Sequence, residues 1–545
     1  MGSEMCIRDR GDELENPSND AIIATGYYRL GQWDDEPADR KLALYDDLDD
    51  IMATTTQAMI GLTVNCARCH DHKIDPIPQK DYYRMLAFFR NVRRFGDRNH
   101  ESVVDASTTT IEKKSPPEER VVTEYEKRVA DARARKKEIV DLVKEDFEPV
   151  EHEEFEYEQN HERLVHPRIK KGVITQKQFD QFHGAHHQLI RLKKNPPTVD
   201  RVLCVKEHGK NVPDTHVLIR GNAHAAGDKV DPGFVSVLSP PEPDIDAPIH
   251  GRSSGRRLAL ANWIASDSHP LTARVIVNRV WQYHFGRGIV RSSSDFGFQG
   301  DKPTHPQLLD FLAKRLVDHG WRLKALHREI MLSKTYQMSN AFSEQSYAAD
   351  PLNNLFWRYD MRRLTAEEVR DSILAVTNRL NRKKMFGPSV FTRLSGEVLS
   401  GQSMPGNGWG KSSAEDQLRR SIYIHVKRSL RVPIIENFDG ADTDATCPVR
   451  FNTTQPTQAL GLLNGDLTNR EAREFAKLIA SKHDQLRDQV AAVLARTTQR
   501  QPNQQDVDEG VALIQQWRDA EMSDEQALQY FCLLAFNLNE FIFIR

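Results

Sequence analysis

Apolar side chains return every three or four residues in several long segments of the chain, and no other feature restricts its fold as strongly. Between Val122 and Val143 the apolar positions alternate steps of three and four, with one break at Lys136. The same spacing recurs after Thr304, Thr365 and Ser523. This period places the apolar residues on one face of an α-helix. Thr304, Thr365 and Ser523 are each expected to cap the helix that follows, and Glu368 would complete a capping box with Thr365. The sequence therefore predicts a mainly α, multidomain protein.

Composition limits the classes of protein to which the chain can belong. Of its 545 residues, 28% are charged and 39% are hydrophobic, and the formal net charge is -3. A chain of this length is expected to fold into two or more domains, each with its own core. The nearly balanced charge argues against a nucleic-acid partner. No apolar run reaches the roughly 18 residues that a membrane-spanning helix needs.

Breaks in composition divide the chain into five consecutive segments. The linker-like "KKNPPTVD" and the proline-rich "SPPEPDIDAP" mark two of the boundaries. The opening "MGSEMCIRDR" resembles a translated sequencing adapter, so we expect the native N-terminus and any signal peptide to be missing. The predicted segments are a non-native or disordered leader (1–19), short helices around a cysteine motif (20–118), a charged helical arm and linker (119–198), a small β unit with the proline-rich boundary (199–250) and a large, mainly helical C-terminal domain (251–545).

The fourth segment contains the predicted strands. "RVLCV", "THVLIRGN" and "GFVSVL" are short runs rich in β-branched residues, and Gly, Pro and Asn separate them. This composition is typical of strands joined by turns. We therefore expect these three runs to form one small β insertion within the helical protein.

The strongest motif is "NCARCHDHKIDP" at 65–76, in which Cys66, Cys69 and His70 have the order C-x-x-C-H. Given 6 cysteines and 20 histidines, chance would produce this order only about 0.002 times in the chain. Two thiols on one helical turn can bond to the two vinyl groups of haem, and the histidine can supply an axial nitrogen. The three residues are therefore predicted to bind a covalent haem c, with His70 as the proximal ligand of the iron.

Two other interpretations of the motif stay open. Zinc accepts the same sulfur and nitrogen donors, and His72 or the helically spaced pair His183 and His187 could complete a zinc site. The thiols could also form a structural or redox pair, although a C-x-x-C oxidoreductase places its motif in a βαβ context that this region lacks. No distal ligand of a haem iron can be assigned from the sequence.

A second candidate site lies in "PLTARVIVNRVWQYHFG". Arg274, Asn278 and Trp281 share one face of the helix that this segment predicts. They could line a cleft for an anionic polysaccharide, or they could clamp buried carbonyl groups. Further basic residues are concentrated in the same helical half of the chain, and they could line the same cleft. A solvated face with interleaved acids is their simpler explanation. These residues are Arg362, Arg363, Arg370, Arg419, Arg420, Lys427, Arg428 and Arg431.

Motifs of several enzyme classes are missing from the sequence. It contains no phosphate-binding glycine loop and no H-E-x-x-H. Nucleotide-binding and zinc-protease functions therefore have no motif in their support. Whether the chain is an enzyme stays open at this point.

Long stretches of the chain resemble a known family. The region from "ATGYYRLGQWDDEP" through "NCARCHDHKIDPIPQKDYYRMLAFF" resembles the cytochrome-like domain of large planctomycete-type proteins, whose hallmark is C-A-R-C-H-D-H-K before D-P-I and D-Y-Y. The second half is similar to the companion C-terminal domain of unknown function, through "HPLTARVIVNRVWQYHFGRGIVRSSSDFGFQGDKPTHPQLLDFLA", "RRLTAEEVRDSIL", "RRSIYIHVKRSL" and "TTQPTQALGLLN". The resemblance makes residues 20–118 the C-terminal part of a cytochrome-like domain in an N-terminally truncated member.

The resemblance also implies a location and a kind of function. It implies export to the periplasm or the cell surface, where haem is attached covalently, and a connection with polysaccharide breakdown. We therefore expect extracytoplasmic electron transfer or haem-assisted oxidation, with a redox partner that the sequence does not identify. The competing expectation is a carbohydrate-binding or hydrolytic surface protein in which the C-x-x-C-H motif is structural or binds zinc.

Overall fold

The computed structural model describes residues 18–31, 37–93, 108–112, 119–155, 160–194, 196–207, 209–245, 253–385, 387–402, 405–443 and 450–544. The predicted leader, residues 1–19, lies outside these ranges except for its last two residues. Helices dominate the described residues and the strands are short, which confirms the mainly α, multidomain fold. None of the helices in these ranges combines the length and apolarity that crossing a bilayer requires.

The helices of the described residues are, in chain order, α1 (Asn19–Ala24), α2 (Arg40–Thr55), α3 (Gln79–Leu86), α4 (Glu119–Lys144), α5 (Pro149–Glu154), α6 (His161–Val165), α7 (Pro167–Lys170), α8 (Gln176–Lys194), α9 (Arg256–Ile264), α10 (Thr272–Phe285), α11 (Pro306–Asp318), α12 (Leu323–Met331), α13 (Glu344–Ala349), α14 (Ala366–Val376), α15 (Gly396–Ser400), α16 (Pro433–Asn437), α17 (Pro456–Asn464), α18 (Asp466–Ala480), α19 (Leu486–Thr498), α20 (Gln504–Asp519), α21 (Asp524–Ala535) and α22 (Asn539–Ile542). The strands are β1 (Val92–Arg93), β2 (Thr108–Glu112), β3 (Val199–Leu203), β4 (Lys206–Glu207), β5 (Thr215–Leu218), β6 (Ala226–Val230), β7 (Arg362–Arg363) and β8 (Phe543–Ile544). They form four antiparallel pairs, β1 with β4, β2 with β3, β5 with β6 and β7 with β8.

The chain divides into two compact units, and each unit gathers segments that are far apart in the sequence. The first unit consists of residues 1–30, 90–213 and 244–262, and the second consists of residues 31–89, 214–243 and 263–545. The five predicted segments are consecutive and therefore do not coincide with these units. The reason is that contacts between distant segments, such as the pairing of β2 with β3, define each unit.

In the first unit, the predicted helical arm is a hairpin. α4 and α8 pack against each other, and short helices close the end of the hairpin. The apolar core of the arm consists of Ile139, Val140, Val143, Phe147, Phe155, Leu164, Val165, Ile174 and Phe182. Arg168 is buried beside this core, and its guanidinium contacts the carboxylates of Asp146 (3.1 Å) and Glu151 (2.5 Å). The charged sequence of the arm thus includes an internal ion-pair network.

The predicted β insertion is wrong in two respects. "GFVSVL" is not a strand, because its last residues form the 3₁₀ turn Ser236–Leu238 and its apolar side chains Phe234 and Val235 are buried without strand pairing. The three predicted runs also do not form one sheet, since β3 pairs with β2 whereas β5 pairs with β6. β6 is a polar, exposed run, AGDKV, and it was missed because a hairpin strand at the surface needs a backbone partner more than apolar side chains.

In the second unit, the core of the described residues includes two large apolar clusters. One lies among α10, α11 and α12 and includes Val277, Trp281, Phe285, Leu309, Leu312, Leu316, Leu326 and Ile330. The other lies among α14 and α17 to α22 and includes Val369, Ile373, Leu462, Phe475, Val490, Val493, Ile514, Phe531 and Phe541. Each helix contributes the face that its apolar spacing predicts.

Two of the three helix caps that the sequence predicts are confirmed. The capping box of Thr365 and Glu368 at α14 is confirmed, and Ser523 caps α21 by accepting from the Gln526 N–H. Thr304 was expected to cap α11, and this is wrong. The residue before α11 is His305, and the Thr304 hydroxyl instead donates to the Ile289 carbonyl oxygen (3.3 Å).

Candidate functional site

The C-x-x-C-H motif follows α2 in the second unit. α2 continues as one π-helical turn, Thr56–Ile60, which ends at Gly61 in the left-handed conformation (φ 63°). A Cβ at Gly61 would lie 2.9 Å from side-chain atoms of both Phe296 and Val275. The Phe296 N–H donates to the Gly61 carbonyl oxygen (2.7 Å). Glycine is therefore required both by its φ angle and by the available space, and the backbone is held firmly just before the motif.

The two cysteines lie on a 3₁₀ turn and on the bend that follows it. The turn is Val64–Ala67, and the side chains of Val64 and Ala67 are completely buried. These two apolar anchors leave Cys66 on the outer side of the turn. Cys66 and Cys69 are both exposed, and both are free thiols. The structure thus presents the two predicted thiols at the surface with no disulfide between them.

Cys69 packs against the turn that connects β5 and β6. Gly221 in this turn has φ 71°, and a Cβ there would lie 2.6 Å from Cys69 Sγ. The Gln79 side chain links the same hairpin to the motif, because its Nε2 donates to the carbonyl oxygens of Arg68 (2.9 Å) and of Leu218 (3.1 Å) at the end of β5. The β5–β6 hairpin therefore supports one side of the motif.

Buried tyrosines hold the peptide between the two cysteines. The Tyr83 hydroxyl donates to the Arg68 carbonyl oxygen (2.9 Å), and the Tyr82 hydroxyl donates to Asp49 (2.7 Å). The Arg68 guanidinium contacts Asp46 (2.7 Å). Burial raises the pKa of Tyr82, of Tyr83 and of Asp49. Both tyrosines consequently remain neutral hydrogen-bond donors, and they belong to the core behind the motif.

His70 is exposed, and one of its ring nitrogens is held by the main chain. Its Nδ1 lies 2.6 Å from the carbonyl oxygen of Asp71. A carbonyl oxygen only accepts, so Nδ1 carries the proton and donates it. No group among the described residues forms a hydrogen bond with Nε2. This tautomer leaves the Nε2 lone pair available to a metal ion, which is the usual arrangement of a ligating histidine.

His72, in contrast, is part of the internal structure of the bend. Its Nδ1 accepts from the backbone N–H groups of Ile74 (3.1 Å) and Asp75 (2.8 Å), and its Nε2 lies 3.2 Å from Thr63 Oγ1. The His72 side chain is only 4% exposed. Both nitrogens are therefore engaged, and the zinc interpretation loses this ligand.

Two acidic residues support the site and were missed from the sequence. Asp71 Oδ1 accepts from the Gln79 N–H (2.8 Å) at the start of α3. Asp75 is buried, and its Oδ1 accepts from the Phe298 N–H (2.7 Å). A Cβ at Gly297 would lie 2.4 Å from Asp75 Oδ2. The close contact between Asp75 and the loop that contains Phe298 therefore also requires glycine. The acids are visible within "CHDHKIDP", but nothing in the sequence connects Asp75 with a loop more than two hundred residues away.

The second pair of predicted zinc ligands has a different partner. His183 and His187 lie on α8 in the first unit, where each has one ring nitrogen 2.8 Å from Glu162 Oε1. They form a group with this carboxylate. The described residues thus leave Cys66, Cys69 and His70 as the free donors of the motif.

The second candidate site is not an open cleft in the structure. Asn278 is completely buried and forms two hydrogen bonds with the main chain of Val290, each 2.8 Å long. Trp281 is 3% exposed and stacks on Phe285 with ring centroids 4.2 Å apart. Arg274 is accessible, and its Nε donates to Asp310 (2.7 Å). Asn278 therefore acts as a polar clamp and Trp281 as a core residue, and a saccharide could reach only Arg274.

Cys66, Cys69 and His70 are two thiols and one imidazole, and both zinc and haem accept such donors. A structural zinc site needs a fourth protein ligand, which His72 does not supply because both of its nitrogens are engaged, whereas a zinc site that keeps one position for water needs only three. Covalent haem attachment needs two thiols and one axial nitrogen. The three free donors match that requirement in type, in number and in spacing.

Comparisons with known proteins give matches to two families of unknown function. Residues 256–514 match the family model PSD1, described as a protein of unknown function (DUF1553), and residues 9–94 match PSCyt2, described as a protein of unknown function (DUF1549). Neither a curated protein nor a solved structure matches the chain. Neither description states that haem is bound, so the cytochrome-like nature of residues 20–118 stays a prediction. Through these two matches the chain is similar to the planctomycete-type proteins in which the two domains of unknown function occur as a pair.

Proposed function

We propose that the chain is a c-type haem protein that transfers electrons outside the cytoplasm, with haem held by Cys66, Cys69 and His70. One observation carries the proposal: two accessible free thiols, three residues apart, precede an imidazole whose Nδ1 is hydrogen-bonded to a carbonyl group. Bound haem supplies one-electron redox chemistry, which these side chains lack.

The residues of the motif have separate roles in this proposal. Cys66 and Cys69 would each hold the haem through one thioether bond, formed when the S–H adds across a vinyl group, with sulfur on one vinyl carbon and hydrogen on the other. His70 would hold the iron through Nε2. The hydrogen bond from its Nδ1 to the Asp71 carbonyl group fixes the tautomer and increases the basicity of Nε2. Gly221 and Gln79 keep Cys69 in position.

The location outside the cytoplasm rests on the family that the chain resembles. Covalent attachment of haem to a C-x-x-C-H motif is expected where export and haem-maturation machinery meet. A role in polysaccharide breakdown is a further part of that resemblance. The described residues around Asn278 and Trp281 offer no open polysaccharide cleft, so electron transfer is the function proposed.

The test is expression with an export leader in cells that carry haem-maturation machinery. We expect purified protein with a Soret band that persists after acid-acetone extraction of free haem. The double variant Cys66→Ser/Cys69→Ser should lose the covalent haem, whereas Cys204→Ala, which removes a buried cysteine outside the motif, should keep it. His70→Ala should retain the thioether bonds but show an altered spectrum, because the axial nitrogen is gone.

A colourless product would contradict the proposal, provided that circular dichroism shows a folded helical protein. Unchanged haem content in the double cysteine variant would place any haem elsewhere. In either case the two thiols would return to the structural or metal-binding interpretation.

A further inference from the structure

The histidine-rich arm of the first unit has no part in the proposed haem function. Its histidines fall into two groups. In the first group, Lys136 Nζ lies 2.8 Å from His161 Nδ1 and 3.0 Å from His186 Nδ1. Because an ammonium group only donates, both Nδ1 atoms accept. The remaining nitrogen of His161, Nε2, lies 2.7 Å from the Phe155 carbonyl oxygen. These two histidines therefore serve the internal packing of the arm.

The second group faces solvent and converges on a single carboxylate oxygen. His183 and His187 are one turn apart on α8, so their rings lie on the same face of the helix. Glu162 on α6 places Oε1 2.8 Å from His183 Nδ1 and 2.8 Å from His187 Nε2. The three ligand atoms lie within 4.8 Å of one another. The two imidazoles are 50% and 42% exposed, which leaves room for an ion to enter.

The burial of Glu162 Oε1 and its lack of a hydrogen-bond donor among the described residues distinguish this group from an ordinary surface ion pair. The atom is excluded from solvent, and no donor among the described residues forms a hydrogen bond to it. The two ring nitrogens approach it closely without hydrogen-bond geometry. A buried carboxylate oxygen without a donor is unfavourable. A cation placed between the oxygen and the two nitrogens would use all three lone pairs at once.

We propose that Glu162, His183 and His187 bind one divalent transition-metal ion, for which zinc is the probe. Two imidazole nitrogens and one carboxylate oxygen form a ligand set that zinc accepts, with typical metal–ligand distances of about 2.0 to 2.2 Å. Two histidines at i and i+4 present their rings to a common ion, as in other helical zinc sites. Three protein ligands leave a fourth position for water. The bound ion would join the short helix α6 to α8.

This site is independent of the cysteine motif, and the test separates the two. The protein is the full chain carrying Cys66→Ser/Cys69→Ser, produced in the cytoplasm and stripped of metal, so that the thiols cannot bind the probe. Calorimetric titration with zinc should give one ion per chain. Glu162→Gln, His183→Ala and His187→Ala should each weaken zinc binding about tenfold or more, because each removes one of three ligands. His166→Ala, which removes an exposed histidine of the same arm, should leave the binding unchanged.

Two further readouts support the titration. Cobalt(II) in place of zinc should give visible d–d absorption bands that disappear in His187→Ala. Zinc should raise the midpoint of thermal unfolding in the parent protein and not in His187→Ala. Circular dichroism should show that the variants are folded, as expected for half-exposed side chains.

The proposal is overturned if zinc does not bind stoichiometrically, or if the three ligand variants bind zinc as tightly as the parent. The three side chains would then be an ion pair between a carboxylate and two histidines. The haem proposal is unaffected by either result, since the tested protein lacks both cysteines of that site.

Discussion

At the level of single residues, two histidines of the second unit cap turns in the same way. His72 and His269 each accept, at Nδ1, from the backbone N–H groups two and three residues ahead; for His269 these belong to Leu271 (3.2 Å) and Thr272 (3.1 Å). A nitrogen that accepts two hydrogen bonds carries no proton. Both histidines thus act as neutral caps. Residue type alone could not separate this role from metal binding, which is why His72 was considered as a ligand.

His269 should make the stability of the protein depend on pH. Burial lowers the pKa of His269 to about 4 from 6.5. Between these values the unfolded chain binds a proton that the folded chain excludes. The free energy of unfolding is therefore highest above pH 6.5 and should fall by about 3 kcal/mol as the pH decreases to 4. Urea unfolding at several pH values between 7 and 4 measures this slope.

The variant His269→Asn keeps an acceptor at the cap but removes the titrating group. We expect a flatter dependence of the unfolding free energy on pH in this variant. The control is His166→Asn, which changes an exposed histidine and should leave the slope as it is. An unchanged slope in His269→Asn would show that other groups cause the acid sensitivity.

At the level of helices and loops, buried arginines join irregular segments to α14. Arg370 on α14 is 2% exposed and donates to the carbonyl oxygens of Gln417 (2.5 Å) and Arg419 (3.0 Å). Arg419 is 1% exposed and donates to the carbonyl oxygen of Pro388 (2.9 Å). The basic residues expected on a solvated face or in an anionic cleft thus include internal clamps. A guanidinium group can satisfy several loop carbonyls at once, and charge patterning does not reveal such partners.

Replacing Arg370 should therefore be costly, although arginine is usually a surface residue. Arg370→Met leaves the loop carbonyls buried without a donor, and we expect a loss of about 2 to 4 kcal/mol in the free energy of unfolding. Arg420→Met is the matched control, because Arg420 is half exposed and its loss should change stability by less than about 0.5 kcal/mol. Urea denaturation followed by circular dichroism compares the two. Equal effects of the two substitutions would contradict the clamp.

At the level of the whole molecule, the C-terminal core is closed by the pairing of its own two ends. β7 pairs with β8, and the Leu364 N–H donates to the Ile542 carbonyl oxygen (2.8 Å). The apolar cluster behind this closure contains residues from Leu364 to Phe541. Residues just after 262 instead depend on earlier parts of the chain, since Trp263 stacks on Phe234 with ring centroids 4.4 Å apart.

Residues from 362 onward pair with the end of the chain, whereas residues just after 262 pack on earlier segments. This difference predicts where the chain can be shortened. A fragment of residues 362–545 should fold by itself, with cooperative thermal unfolding and dispersed amide resonances. A fragment of residues 251–545 should be cleaved readily by thermolysin before residue 300, because it lacks the Gly61, Asp75 and Phe234 partners of that region. Mass spectrometry of the digests identifies the surviving piece. An unfolded 362–545 fragment, or a 251–545 fragment that resists cleavage, would contradict this division.

Short-range features of the protein could be predicted from its sequence. Apolar spacing predicted α4, α11, α14 and α21, because residues three and four apart share a helix face. The cap at Thr365 depends on residues three positions apart, and so does the order of Cys66 and Cys69 with His70. All of these features involve residues within one or two helical turns of each other, so the pattern of the sequence is enough to predict them.

Long-range contacts determined the rest, and no local pattern records them. Asn278 is buried and bonded to Val290, which is the clamp rather than the cleft of the two roles that the sequence left open. The glycine turn at Gly221 meets Cys69 across 152 positions. The approach of Glu162 to His183 and His187 likewise arises from the packing of α6 on α8. The sequence shows the same residue type whether a polar side chain binds a ligand, caps a turn or clamps a loop. Its role depends on which distant groups the folded chain brings within hydrogen-bond distance, because burial makes an unpaired polar group unfavourable and so selects its partner.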